Sequence, residues 1–321
     1  MTSSYAVVGG PAPQAAGLAV LRMSSPAGLE AEFVPDAGMV GCSLRHRGAE
    51  LLGQRAGMSA YLQRGATFGI PLLAPWANRL GEDVYEVAGS TVSVTGVRGV
   101  HRDGNGLALH GLLAAAGGWQ VTTATGGADR ARIAARLAFT GERAEFPAFP
   151  FPHDLEVAVD LVDTRLSITT TVTPTTSKDV PIAFGWHPYF TLPGVPRSDW
   201  RVHLPFRTRL ELDDRSLPTG TRKTVSFADA PLGERTFDDL FADVAPGDTA
   251  WISGGGRRIS VTYGEGYPYG VVFAPAGDAL IAIEPMTAPT DPFRPGRKVV
   301  MAPAGGSYAA TYVIEVSEVR S

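Results

Sequence analysis

The sequence predicts an all-β protein, built as a large antiparallel β-sandwich with few short helices. Apolar and polar side chains alternate with a period of two in many runs along the chain, which is typical of strands that bury one face. The 38 glycines and 25 prolines cluster between most of these runs, where such residues favour turns. Few segments have the length and periodicity of an amphipathic helix, so alternating β–α units are not expected.

The alternating runs extend through most of the chain. In the first half, strands are predicted at residues 29–34, 40–44, 84–94, 119–123 and 131–139. Residues 155–161 and 166–172 are predicted to form a hairpin, because residues 163–165 separate two runs with the same period of two. Further strands are expected at residues 258–263, 270–274, 280–283 and 308–316. The best helix candidate is short and lies near residues 59–62.

Length and composition favour one large domain over residues 1–321. All-β sandwiches routinely exceed about 200 residues as one domain, although two smaller β domains would also fit this length. Hydrophobic residues make up 44% of the chain and can supply a full core. No internal repeat or long linker separates two halves.

Charge and cysteine content exclude several classes of partner and site. The net charge is −4 and the 28 Lys and Arg residues are scattered, whereas a nucleic-acid surface needs a basic stripe. Cys42 is the only cysteine, so neither an intrachain disulfide nor a metal site of several thiolates is expected. The N-terminal residues lack the basic segment of a signal peptide, and no apolar run approaches about 18 residues. We therefore expect a cytoplasmic protein without membrane contact.

Near the C-terminal end, a carboxylate follows an apolar run. Residues 280–283 have the composition of a core strand, and Glu284 is expected where this strand emerges, followed by Pro285. Burial there would raise the pKa of Glu284 towards the range that a general base needs. Taken alone, Glu284 could also be an exposed residue that caps an ordinary strand.

Four other segments place polar side chains among apolar or aromatic neighbours. Each has a structural interpretation when taken alone, such as a core histidine or a buried arginine paired with an acid. The side chains are Asn78 and Arg79 in residues 69–80, His110 before Gly111, His187 in residues 184–190, and Asp238 and Asp239 in residues 236–241.

Taken together and in this order, the motifs resemble those of the aldose 1-epimerase family, the mutarotases with the galactose mutarotase-like supersandwich fold. The resemblance runs from about residue 29 to residue 316. It rests on Pro-Trp-x-Asn-Arg at 75–79, His-Gly-Leu at 110–112, His-Pro-Tyr-Phe at 187–190, Phe-Asp-x-x-Phe at 237–241 and Glu-Pro-x-Thr at 284–287. It implies interconversion of the α and β anomers of a free aldose, without cofactor or metal.

The resemblance also implies roles for the motif residues. Glu284 would be the general base and His187 the general acid, because opening the sugar ring requires two groups of complementary protonation. Asp238 would bind a sugar hydroxyl, although Asp239 competes for this role. The other expected substrate contacts are Arg79, His110, Asn78 and Trp186.

Two alternatives to a free-aldose mutarotase stay open. A non-catalytic carbohydrate-binding protein of the same fold could lose the acid or the base, whereas His187 and Glu284 are both present here. A hexose-6-phosphate mutarotase would need basic residues placed for a phosphate, for which Arg102, Arg294 and Arg297 are candidates in turn-like surroundings. The expected partner is a small-molecule sugar such as glucose or galactose, and the chain is expected to be a monomer or a homodimer.

Overall fold

The computed structural model describes residues 4–12 and 15–319. It is 48% strand and 6% helix, and every pairing between its named strands is antiparallel. The predicted fold class, an all-β antiparallel sandwich with few short helices, is confirmed. No helix in the described ranges is long and apolar enough to cross a membrane.

The strands are mostly short and follow one another along the chain. The first half contains β1 (Ala6–Pro11), β2 (Ala19–Ser24), β3 (Leu29–Val34), β4 (Val40–His46), β5 (Ala49–Glu50), β6 (Leu72–Leu73), β7 (Val84–Val87), β8 (Ser90–Ser93), β9 (Gln120–Gly126), β10 (Ala131–Phe139) and β11 (His153–Val162). The second half contains β12 (Arg165–Pro174), β13 (Val180–Ile182), β14 (Gly185–Trp186), β15 (Tyr189–Phe190), β16 (Arg201–His203), β17 (Thr208–Leu212), β18 (Pro218–Thr224), β19 (Ala230–Pro231), β20 (Phe237–Ala242), β21 (Thr249–Gly254), β22 (Arg257–Tyr263), β23 (Tyr269–Ala274), β24 (Ile281–Met286), β25 (Val300–Ala302) and β26 (Tyr308–Glu318). The α-helix is α1 (Gly57–Arg64), and short 3₁₀ turns lie at Pro35–Ala37, Phe146–Ala148 and Arg197–Asp199.

Two large sheets carry most of the strands. One has the order β19-β16-β21-β22-β26-β12-β11-β10-β9, and the other has the order β18-β17-β20-β23-β24-β14-β6, with β15 also paired to β24. A five-stranded sheet runs from β1 to β5 in sequence order, and β7–β8 and β13–β25 form two-stranded pairs. One continuous cluster of buried apolar side chains joins residues of all three larger sheets.

The period of two produces the core face of the nine-stranded sheet. On β12, Leu166, Ile168, Thr170 and Val172 are buried, and the residues between them are partly exposed. The hairpin partner β11 pairs with β12 along its whole length, with Val159 opposite Ile168. Alternation therefore gives this sheet one face for the core, as expected for strands with one solvated face. The run predicted at residues 84–94 is instead a hairpin of β7 and β8.

Strand β24 differs, because all six of its residues are buried. Ile281 and Ile283 join the main core on one face of the sheet. Since successive side chains of a strand point to opposite faces, Glu284 points to the other face. The strand continues to Met286, so Glu284 lies within it rather than at its end. With 1% of its surface exposed, Glu284 is not the exposed strand cap that the sequence allowed.

Candidate active site

A cavity of about 620 Å³ opens on the face of the eight-stranded sheet to which Glu284 points. Strands β15, β20, β23 and β24 each contribute at least one residue to its wall, and the segments around residues 55–67, 78–79 and 101–110 contribute most of the others. Six of the side chains expected to catalyse the reaction or bind the sugar meet there: Asn78, Arg79, His110, His187, Asp238 and Glu284.

Glu284 is a buried carboxylate. Among the described residues, neither of its carboxylate oxygens accepts a hydrogen bond, and His187 Nε2 lies 3.3 Å from Oε1. Burial raises the pKa of Glu284 well above its ordinary value of 4.5, and the charge of Asp238 adds to this rise while Arg79 opposes it. Its proton affinity is therefore high for a carboxylate, as a general base requires.

His187 lies between the short strands β14 and β15, and its backbone N–H donates to the carbonyl of Pro71 over 3.1 Å. Burial lowers the pKa of its imidazole well below 6.5, and the neighbouring His110 and Arg55 lower it further. His110 approaches edge-on, with 5.6 Å between the ring centroids. The surroundings of His187 thus favour a neutral ring that gives up a proton readily.

The segments that carry Asn78 and His110 are joined through their backbones. Both residues have positive φ, 55° for Asn78 and 62° for His110, and the His110 N–H donates to the Asn78 carbonyl over 2.8 Å. Gly111 forms a bridge with Ala74, and a Cβ at Gly111 would lie only 2.2 Å from the Ala74 carbonyl oxygen. The glycine of the His-Gly-Leu motif therefore permits the close approach that places His110 beside Asn78.

Arg79, Asn78 and His110 present donors to the cavity. Arg79 donates from Nε to Asp103 over 2.7 Å, which fixes the guanidinium at the wall. Burial lowers the pKa of His110 to about 3, helped by the charge of Arg79, so His110 is neutral. Among the described residues, Asn78 Nδ2 and His110 Nδ1 have no hydrogen-bond partner, and both residues line the cavity.

Asp238 and Asp239 point in opposite directions from β20. Asp238 lines the cavity, where desolvation raises its pKa and Arg79 opposes the rise. Asp239 pairs with Arg209 over 3.3 Å and is not part of the cavity wall. Of these two candidates, only Asp238 can meet a ligand in this cavity.

The structure does not place Trp186 in the cavity, contrary to the expected substrate contact. Its ring is fully buried, its indole N–H donates to Thr170 Oγ1 over 2.9 Å, and it packs against Tyr312. The reason is its position next to His187: neighbouring residues in an extended segment face opposite sides, so Trp186 faces the core.

Several wall residues were not identified from the sequence. Tyr189 stacks on His187, with ring centroids 4.2 Å apart, and its hydroxyl contacts Thr67 and Arg55. Phe273 lies edge-on to His187. Tyr189 belongs to the His-Pro-Tyr-Phe motif and could have been singled out on that signal, whereas Thr67 and Arg55 lie in no motif.

The three arginines considered for a phosphate differ in position and pairing. Arg102 lines the cavity but forms two hydrogen bonds to Asp83, of 2.8 and 2.9 Å. Arg294 donates to the Pro218 carbonyl and Arg297 to the Thr290 carbonyl, and neither lines the cavity. Within residues 4–12 and 15–319, no three His, Cys, Asp or Glu side chains gather as metal ligands.

Comparisons with known proteins give the family and the fold. The family model described as Aldose 1-epimerase matches residues 20–315. A galactose mutarotase-like protein from Clostridium acetobutylicum has a TM-score of 0.85 at 19% identity, covering 98% of this chain and 99% of its own. A galactose 1-epimerase from Lactobacillus acidophilus NCFM has a TM-score of 0.77 at 14% identity, covering 99% and 100%. No match is found among curated proteins. At these low identities, the structural matches establish a shared fold.

Proposed function

The chain belongs to the aldose 1-epimerase family, and from this premise we propose that it is a mutarotase that interconverts the α and β anomers of a free aldose. The observation that carries the proposal is the pairing of His187 Nε2 with Glu284 Oε1 at 3.3 Å inside the cavity. A proton donor and a proton acceptor there can act on two oxygens of one sugar ring.

In the proposed mechanism, the carboxylate of Glu284 takes the proton of the C1 hydroxyl while His187 Nε2 gives its proton to the ring oxygen. The bond between C1 and the ring oxygen breaks, and C1 becomes the aldehyde carbon. Rotation about the C1–C2 bond then presents the other face of the carbonyl. The ring closes by the reverse transfers, which return both protons and give the opposite anomer.

This mechanism requires that His187 and Glu284 together hold one proton. Before ring opening the proton is on His187, and after it the proton is on Glu284, so the pair passes between an ionic and a neutral form. Burial favours the neutral form, because it raises the pKa of Glu284 and lowers that of His187. The mutual attraction of the charged groups favours the ionic form. Opposed contributions of this kind can bring the two forms close in energy, as reversible proton transfer requires.

The remaining wall residues would bind and orient the sugar. Arg79, Asn78 and His110 supply donors, and Asp238 supplies an acceptor for hydroxyl groups. The sugar oxygen that changes charge would lie near the donors, where one such donor typically contributes on the order of 10²-fold in rate. Because Arg102 is paired with Asp83, an uncharged aldose is a better fit than a sugar phosphate.

Polarimetry tests the proposal directly. We expect the purified protein to accelerate the change in optical rotation of freshly dissolved α-D-glucose or α-D-galactose, and Glu284→Gln to abolish this acceleration while calorimetry still detects sugar binding. Binding without acceleration of any aldose would instead support a carbohydrate-binding protein. Acceleration confined to 6-phosphorylated sugars would support the phosphate alternative. Three properties stay predictions from the sequence: that the protein is cytoplasmic, that it has one domain, and that it is a monomer or a homodimer.

A further inference from the structure

The side chain that lies against the proposed acid is Tyr189. Its backbone is anchored in the sheet, since β15 pairs with β24 and places Tyr189 opposite Ala282, two residues from Glu284. Its N–H donates to the Gly69 carbonyl over 2.8 Å, and its carbonyl accepts from the Gly53 N–H over 3.0 Å. The ring is almost fully buried. A side chain held in this way can fix the position of a neighbour.

The Tyr189 and His187 rings are nearly parallel, with an interplanar angle of 18° and centroids 4.2 Å apart. The Tyr189 hydroxyl oxygen lies 3.0 Å from His187 Nε2. In such a stack the oxygen reaches Nε2 from the face of the imidazole. The direction of Nε2 within the ring plane therefore stays available for Glu284 and for a substrate.

Two further groups hold the Tyr189 hydroxyl. Thr67 Oγ1 lies 2.7 Å away, and Arg55 Nη1 donates to the hydroxyl over 3.1 Å. The Arg55 guanidinium also lies over the rings of Tyr189 and Phe273, 5.3 and 5.7 Å from their centroids. Arg55 has a φ of 44°, a backbone conformation that is costly for residues other than glycine and is often found at functional sites.

We propose that Tyr189 is a positioning residue for His187, and that its hydroxyl, held by Thr67 and Arg55, accommodates the imidazole both with and without its Nε2 proton. The proposal rests on the mutarotase function proposed above, in which His187 alternates between these two forms.

The hydrogen count explains how one hydroxyl can serve both forms. A tyrosine hydroxyl has one hydrogen to donate and can accept two hydrogen bonds, whereas arginine only donates. With Arg55 as a fixed donor, the phenolic hydrogen can point to Thr67 and leave a lone pair facing the protonated ring. Once the ring has lost its proton, the same hydrogen can turn towards the face of the neutral imidazole, and the Thr67 hydroxyl can donate in its place. Only O–H rotations are needed.

Among the described residues, the titratable and charged groups that face His187 are Glu284 on β24, His110 in the neighbouring wall segment, Arg55 before α1, and Tyr189 itself. The charge of Arg55 lowers the pKa of His187, whereas a lone pair of the Tyr189 oxygen favours the protonated ring. Changes at Arg55 and at Tyr189 should therefore move the pKa of His187 in opposite directions.

The test compares Tyr189→Phe with a matched control, Tyr85→Phe. Tyr85 is also buried, stacks on Phe293 at 19° and donates its hydroxyl to the Ala148 carbonyl, but it lies outside the cavity. We expect Tyr189→Phe to lower kcat by about tenfold or more with little change in KM, since it removes the oxygen that stabilises the protonated ring of His187. Tyr85→Phe should keep the kcat of the wild type.

The imidazole signals of His187, followed by NMR against pH, give a second measurement that needs no turnover. We expect the titration of His187 to move to lower pH in Tyr189→Phe and to higher pH in Arg55→Leu. If Tyr189→Phe does not fold, Thr67→Val takes its place, with a smaller fall in kcat that Thr67→Ser reverses.

Either of two results would overturn the role of Tyr189: an unchanged kcat together with an unmoved His187 titration, or a rise in KM alone. If the wild type fails to accelerate mutarotation, the proposed function is wrong, and the NMR titration alone then decides whether Tyr189 controls His187.

Discussion

Two glutamates of this protein are equally buried, each with 1% of its surface exposed, but their surroundings differ. Glu32 on β3 accepts a hydrogen bond of 2.6 Å from Arg22 Nε and lies 3.8 Å from Arg45 Nη1. The carboxylate of Glu284 on β24 accepts no hydrogen bond from any described residue, and the imidazole Nε2 of His187 lies 3.3 Å from its Oε1. A buried carboxylate is costly unless its charge is compensated. Arginines compensate the charge of Glu32, whereas no arginine among the described residues donates a hydrogen bond to the carboxylate of Glu284, which supports the proposed role of Glu284 in proton exchange.

The sharpest test of this contrast is activity in the two amide variants. Glu284→Gln should lower the rate of mutarotation by about 10²- to 10⁴-fold, the usual contribution of a general acid or base. Glu32→Gln should stay within about twofold of the wild type, since it removes no group from the cavity. Polarimetry at matched protein concentration measures both. Equal losses of activity in the two variants would show that a buried carboxylate matters for the rate whether or not it has a hydrogen-bonding cation beside it.

Stability should respond in the opposite order. Glu32→Gln removes the carboxylate that pairs with Arg22, whereas Arg45 keeps Glu50 at 3.5 Å. Hydrogen bonds to charged groups contribute about 1.5–3 kcal/mol each. Both arginines are partly exposed and can be hydrated again, so we expect a loss of about 1–3 kcal/mol in the free energy of unfolding. Urea denaturation followed by circular dichroism gives this value. If the Glu32→Gln protein is as stable as the wild type, the contacts of Glu32 with the two arginines do not stabilise the fold.

A smaller effect separates the two aspartates on β20. Asp238→Asn should raise KM by about tenfold, the equivalent of one hydrogen bond to a charged group, because this side chain lines the cavity. Asp239→Asn should leave KM unchanged, since Asp239 pairs with Arg209 away from the cavity. Steady-state kinetics with one aldose distinguishes them, and a larger effect from Asp239→Asn would reverse the assignment.

The smallest expected effect concerns stability as a function of pH. Burial raises the pKa of folded Glu284 above the 4.5 of an ordinary glutamate, so its protonated form stabilises the folded state at low pH. This stabilisation is lost as pH rises from about 4.5 towards the raised folded value, because the unfolded chain ionises first. Glu284→Gln should therefore match the wild type near pH 4 and become more stable than it towards neutral pH. Melting curves across this range check the sign, and a constant difference would contradict it.

Much of the fold was predictable because the strands alternate clearly. The runs predicted at residues 29–34 and 131–139 coincide with β3 and β10, and the predicted hairpin coincides with β11 and β12 apart from one or two residues at each end. Strands β14 and β15 contain two residues each, too few to show any period. They hold His187 in place, and their positions depend on pairing with distant segments.

The site was predictable only where a motif marked it. His187 and Glu284 were identified from their neighbours in sequence, and the structure brings them together. Thr67 and Arg55 were missed because their roles arise from contacts with Tyr189, more than 100 positions away in the chain. Trp186 was assigned to the substrate wrongly, yet the alternation of side chains in an extended segment already implied that it and His187 face opposite sides.

The burial of the lone cysteine makes the protein suitable for labelling at an introduced cysteine. Cys42 is fully buried, and burial raises the pKa of its thiol to about 12, so it should react slowly with thiol reagents at neutral pH. A cysteine introduced at an exposed position beside the cavity, such as Gln63 on α1, would then be the preferred target for a fluorescent dye. One substitution could turn the protein into a reporter of ligand binding, without first removing a native thiol.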